Sequence, residues 1–126
     1  MSLKRSAKAL VHFFRQSGLP VYQSGRVPNG AKFPFITLTL SFAPYAQASG
    51  ITATAWFQEE AANTRCVEWL DDMCALVPPG GALMRYAGGG AMLHRMSGDF
   101  ASLVRDESDP SVLGARLRLN MHLYDA

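Results

Sequence analysis

The 126 residues fit one domain, and with 48% apolar and 17% charged residues the chain can bury a core without metal or disulfide staples, which argues against wholesale disorder. A net charge of +2 does not by itself mark a nucleic-acid binder. The charge is unevenly spread: the first 58 residues hold six Lys or Arg and no acid, the rest hold six Lys or Arg and all ten acids, so +6 stands against −4.

In chain order, residues 2–17 have helical spacing. Leu3, Ala7, Leu10, Val11 and Phe14 make an apolar stripe, and Lys4, Arg5, Lys8, His12 and Arg15 take the other side. Ser2 suits the start and Gly18 and Pro20 the end; Phe13 falls off the stripe. The charges interrupting the apolar residues make this a helix and not a signal peptide.

Residues 21–23 suit a short strand, and "VPNG" (27–30) a turn with Pro28 in its second position. Pro34 has no N–H to donate, so it belongs at a strand start or an edge. Alternation from Phe35 puts Ile36, Leu38, Leu40 and Phe42 on one face and Phe35, Thr37, Thr39 and Ser41 on the other. Residues 43–50 read as a loop, long for a hairpin and so either mobile or bound to something. A second strand over 51–58 turns Ile51, Ala53, Ala55 and Phe57 in and Thr52, Thr54, Trp56 and Gln58 out.

Residues 59–77 predict the second helix. Its apolar stripe is Ala62, Cys66, Trp69, Leu70, Met73, Cys74 and Val77, with Glu59 and Glu60 at its positive end. Cys66 and Cys74, eight residues apart on one helix, stand roughly 12 Å apart, too far for a disulfide. Free thiols suit a reducing cytoplasm. Weaker strand patterns occupy 82–86 and 91–96 around "GGG", and 100–104 can extend the sheet. A charged loop at 105–111 precedes the best alternation in the chain, 112–124. There Leu113, Ala115, Leu117, Leu119, Met121 and Leu123 face in, and Arg116, Arg118, Asn120, His122 and Tyr124 face out. The whole chain, 1–126, reads as a single α+β domain. Its sheet is mainly antiparallel with two helices packed on one face, in the order α-β-β-β-α-β-β-β.

Catalytic chemistry is hard to find. His12, His94 and His122 match no metal-ligand spacing, and the cysteines lack zinc spacing. "AGGGA" (87–91) lacks a phosphate-loop ending, and Asp71 and Asp72 diverge by about 100° on a helix. Asp106, Glu107 and Asp109 do not follow calcium-loop spacing. The expectation is a non-enzyme with no cofactor and no metal, and no apolar run long enough to span a membrane. The functional candidates are surfaces. Thr37, Thr39 and Trp56 lie on a polar strand face that is either simply wet or a subunit contact. The basic set Lys4, Arg5, Lys8 and Arg15 faces the acidic set Glu59, Glu60, Glu68, Asp71 and Asp72 across copies, or else the first helix is basic by chance.

The stretch "LPVYQSGRVPNGAKFPFITLTL" (19–40) resembles a segment of tail-terminator, or tail-completion, proteins of long-tailed bacteriophages: a helix leads into "PVY", then a "VP–small–FP(F/Y)I" stretch opens the central sheet. The resemblance is strongest over residues 3–42. It implies a virion structural protein of the tail or neck, assembled in the bacterial host cytoplasm. Such a protein forms a ring with itself, usually a hexamer, stops tail-tube growth and joins the head. Its partners would be the tail-tube protein and a head–neck connector, with DNA only as passing cargo and no membrane. Loops 43–50 and 105–111 are then expected to be mobile. A neck or head-completion adaptor is the nearest alternative, and a small ligand- or RNA-binding α+β module the next.

Overall fold

The computed structural model describes residues 3–41, 48–58 and 60–125. Helix α1 (Leu3–Phe14) runs into a 3-10 turn (Arg15–Ser17). Strands β1 (Val21–Gln23), β2 (Phe35–Ser41) and β3 (Ala48–Phe57) follow, then helix α2 (Ala62–Leu76) and strands β4 (Ala82–Tyr86), β5 (Gly89–Arg95), β6 (Ala101–Arg105) and β7 (Leu113–Asp125). This is the expected α+β class, with four strands after the second helix where the expected order had three.

The strands form one sheet in the order β1-β2-β3-β7-β5-β4, with β6 also on β7. All pairs are antiparallel except β1 with β2, which run parallel from Val21↔Ile36 to Gln23↔Leu38. The period of two holds across the sheet. Ile36, Leu38, Ile51, Ala53, Ala55, Leu93, Leu117, Leu119 and Met121 are buried on one face, under both helices.

Helix α1 touches both outer strands, β1 and β4. Flat, six strands would hold those edges about 24 Å apart. The sheet therefore curls, and α1 closes the gap between its edges. That position widens the buried arc of α1 beyond the expected stripe. Leu10 and Phe14 are fully buried, Val11 lines the β1 seam, and Phe13 is buried at the β4 seam with its ring 5.3 Å from that of Phe14. Helix α2 instead packs over β7 and β3 and buries a narrow stripe of Ala62, Cys66, Trp69 and Met73.

The two helices end differently. At the end of α1 the Ser17 hydroxyl donates to Phe14 O, the Gln16 amide donates to Phe13 O, and Gly18, at φ 86°, turns its N–H back to Arg15 O. The last turn of α2 has no basic residue of its own. Arg95, from β5, supplies one: Nε donates to Val77 O at 2.8 Å and Nη2 to Cys74 O at 3.0 Å, with the guanidinium 4.6 Å above the Phe100 ring.

Several boundaries move. The turn hydrogen bond runs from Ala31 N–H to Pro28 O, so Pro28 opens the turn and Asn29 and Gly30 occupy its centre. Strand β3 begins at Ala48, so the last three residues of the expected 43–50 loop belong to the sheet; its remainder, with Phe42, lies outside the described residues. Helix α2 starts at Ala62, which leaves Glu60 in the preceding turn, and Glu59 lies outside the described residues. Ala87 and Gly88 make the β4–β5 turn, so Gly89 and Gly90 are strand residues. The 105–111 loop, expected to be mobile, is internally bonded. Asp106 Oδ1 accepts from the N–H and hydroxyl of Ser108, and Asp109 Oδ1 accepts from those of Ser111.

Strands β5 and β6 lie end to end along one edge of β7. Arg95 pairs with Leu119 and Ala101 with Leu117, so residues 96–100 loop out between adjacent rungs. The Arg118 backbone bridges the break, accepting from Met96 N–H and donating to Phe100 O, while its Nη1 reaches Asp99 Oδ2 at 2.8 Å.

Candidate functional site

The outer face of the curled sheet carries the threonine row. Thr39 is exposed, Thr37 half-buried and Thr54 buried. Trp56 lies across the sheet from Gly114 in the β3–β7 register, and its indole N–H donates to the Thr37 hydroxyl at 3.1 Å. A Cβ built on Gly114 would stand 2.9 Å from each of Thr54 Cγ2, Trp56 Cζ3 and Val104 Cγ2. Position 114 therefore has to be glycine to let the indole lie down.

The alternation of β2 places Phe35 on this face, paired with Trp56. Tyr22 and Phe33 join it. The Phe35 ring centroid is 5.9 Å from that of Tyr22 and 5.0 Å from that of Phe33, and Phe33 keeps 36% exposure. Sequence reasoning missed these two because Tyr22 reaches the row only through the parallel β1–β2 register. The signal was there in "FPF", since a proline flanked by two aromatics ahead of a strand puts both rings near its first rungs.

The outward row of β7 is less available than its spacing suggests. Arg116 is half-buried with its Nε lacking a partner, Arg118 is paired to Asp99, and the His122 ring stands edge-on to His94 at 5.5 Å. Single-strand nucleic-acid binders need open ring faces beside uncommitted cations. Here Phe35 is buried and Trp56 lies against its own sheet, so the RNA-binding alternative gains no support from this face.

The helix faces differ in sign. Lys8 and His12 on α1 and Arg15 in the 3-10 turn that follows it are exposed; Lys4 and Arg5 lie on α1 with side chains outside the described set. A cleft of about 600 Å³ between α1 and β1 is bordered by Lys8, His12, Arg15 and Arg26. One of about 520 Å³ between α1 and β4 is bordered by Lys8, His12 and Arg85 over a floor of Ala9, Phe13, Met84 and Tyr86. Among the described residues no acid lines either cleft. On α2, Glu68, Asp71 and Asp72 are exposed, and Glu60 is exposed just before the helix. Thus Lys8 and Arg15 gather on one surface and Glu60, Glu68, Asp71 and Asp72 on another. The candidates Thr37, Thr39 and Trp56 are on a third, across the sheet.

The buried Cys66 has its Sγ 3.7 Å from Leu113 O, and burial pushes its thiol up to about 11, away from nucleophilic use. Cys66 and Cys74 are both free thiols. Among the described residues no three His, Cys, Asp or Glu gather to hold a metal, and no helix is long and apolar enough to cross a membrane. Comparison with known proteins finds no matching family model and no matching curated protein.

Proposed function

We propose that this protein is a bacteriophage virion structural protein that caps the tail tube as a ring, terminates tail growth and forms the joint to the head. The observation that carries the reading is the separation of sign between the two helices: Lys8 on α1 and Arg15 in the turn that ends it are exposed, as are Glu68, Asp71 and Asp72 on α2. Two unlike patches on one subunit are what a head-to-tail contact needs, and a head-to-tail contact that closes makes a ring. The resemblance of residues 19–40 to tail terminators supplies the setting. It makes the ring a hexamer, the partners a tail-tube protein and a head–neck connector, and the location the virion.

The test is tube length. Added to polymerising tail-tube protein, the chain is expected to shorten and narrow the length distribution; lengths unchanged by its addition sink the reading. Reversing Lys8 and Arg15 to Glu should weaken capping, and reversing Glu68, Asp71 and Asp72 to Lys in the same chain should restore part of it.

A further inference from the structure

We propose that copies of this chain join by seating the α2 ridge centred on Val67 of one copy in the cleft between α1 and β4 of the next. This deepens the ring reading by naming its contact.

Four large apolar residues are notably exposed among the described ones: Phe33, Val67, Leu83 and Leu103. Two of them sit in surroundings of opposite charge. Val67, 52% exposed, is flanked on α2 by Glu68 and, one turn on, by Asp71, with Glu60 ahead of the helix. Positions 64, 67, 68 and 71 share one helical face, so an apolar knob stands inside an acidic ridge. Leu83, 43% exposed, forms one wall of the 520 Å³ cleft, which Lys8 and Arg85 edge with positive charge. The floor of Phe13, Met84 and Tyr86 is apolar and wide enough for an aliphatic side chain.

The fit is therefore twofold: knob to apolar floor, and carboxylates to cations. An amphipathic helix laid in a groove is a common recognition mode, with the apolar residue giving affinity and the charges fixing register. The two patches are unlike, so neither pairs with itself, and a two-fold dimer would have to make both contacts at once; made once, the contact is head-to-tail. Each bound subunit leaves its other patch free for the next.

The contact is tested by cross-linking. Val67→Cys and Leu83→Cys are made separately in a Cys74→Ser chain, mixed at high concentration and mildly oxidised. Both sites are exposed, so folding should be retained. The mixture is expected to give a disulfide dimer that neither variant gives alone, and a chain carrying both changes should give a ladder. Arg85→Glu should cut the mixed yield about tenfold. A 67–83 product no more abundant than that of a control pair, Val67→Cys with Ala101→Cys, overturns the proposal. So does a predominance of 67–67 or 83–83 dimers, or capture of the tube protein by Leu83→Cys on assembled tails. Tubes capped without a 67–83 cross-link would remove this contact and leave the function. A cross-link without capping would do the reverse.

Discussion

Helix α1 lies between two strand edges, buries an arc from Val11 round to Phe13, and is finished by its own residues, Gln16, Ser17 and Gly18. Helix α2 lies over the middle of the sheet, buries a single stripe, and is finished by Arg95 from a strand eighteen or more residues away in sequence. The first helix is thus wedged by packing and ended locally, whereas the second is laid on a surface and clamped at long range. The faces left over differ in sign, and that difference is what makes a head-to-tail contact available.

The largest expected effect tests the wedge. Phe14→Ala removes a fully buried ring from the helix that reaches both sheet edges, and should cost about 3–5 kcal/mol in denaturant unfolding. A cost below ~1 kcal/mol would mean α1 is not what closes the curl. Next, Arg95→Met keeps an unbranched apolar stem but takes the guanidinium from above Phe100 and leaves Val77 O and Cys74 O without their charged donor. It should cost about 1.5–3 kcal/mol, with faster amide exchange in the last turn of α2 and none of it in α1. Equal loss of protection in both helices would erase the distinction between local and long-range ends.

Smaller still, Gly18→Ala should cost about 1–2 kcal/mol, since φ 86° is strained for any residue with a Cβ, and the change should stay at the α1 end. The smallest effect comes from acid. Gln58, which leads into α2, donates to Asp109 Oδ2, and hydrogen bonds from Ser108 and Ser111 hold the carboxyls of Asp106 and Asp109 below the ordinary aspartate value. A depressed folded value means the stabilisation is complete above the unfolded value of about 3.9 and is lost as pH falls through the folded one. Protection of the loop amides, read by NMR against the intrinsic exchange rate at each pH, should therefore fall only below about pH 4, and Asp109→Asn should shift that onset. An onset near neutral pH would point to another group.

Much of the sheet could be read from the sequence because period-two alternation is a local property. Every inward residue expected for β7 from Leu113 to Met121 is at least half-buried, and the three threonine-face candidates share a side. What could not be read depended on where one element lands against another. A three-residue strand such as β1 carries too little pattern to announce a parallel partner. Phe13 is off-stripe only if one assumes a single packing surface under α1. Arg95 occupies an inward position that alternation assigns to an apolar side chain, and only the position of the α2 C-terminus explains it. Of the charged candidates, Lys8 on α1 and Glu68, Asp71 and Asp72 on α2 are exposed on the expected helices, because exposure on a helix follows from its stripe, whereas Arg15 falls in the 3-10 turn and Glu60 ahead of α2. The apolar knob and cleft between them appear only once the sheet curls.

The looped-out residues 96–100 carry one more consequence. Arg118 holds both ends of the break, so Ser97, Gly98 and Asp99 project from a strand edge without contributing a rung to the ladder. Doubling the length of such a loop costs only about 0.6 kcal/mol in closure entropy. The tip is therefore a natural graft point: an epitope or fluorophore-binding peptide spliced after Gly98 would report on a subunit in place while leaving the helix faces and the sheet register untouched.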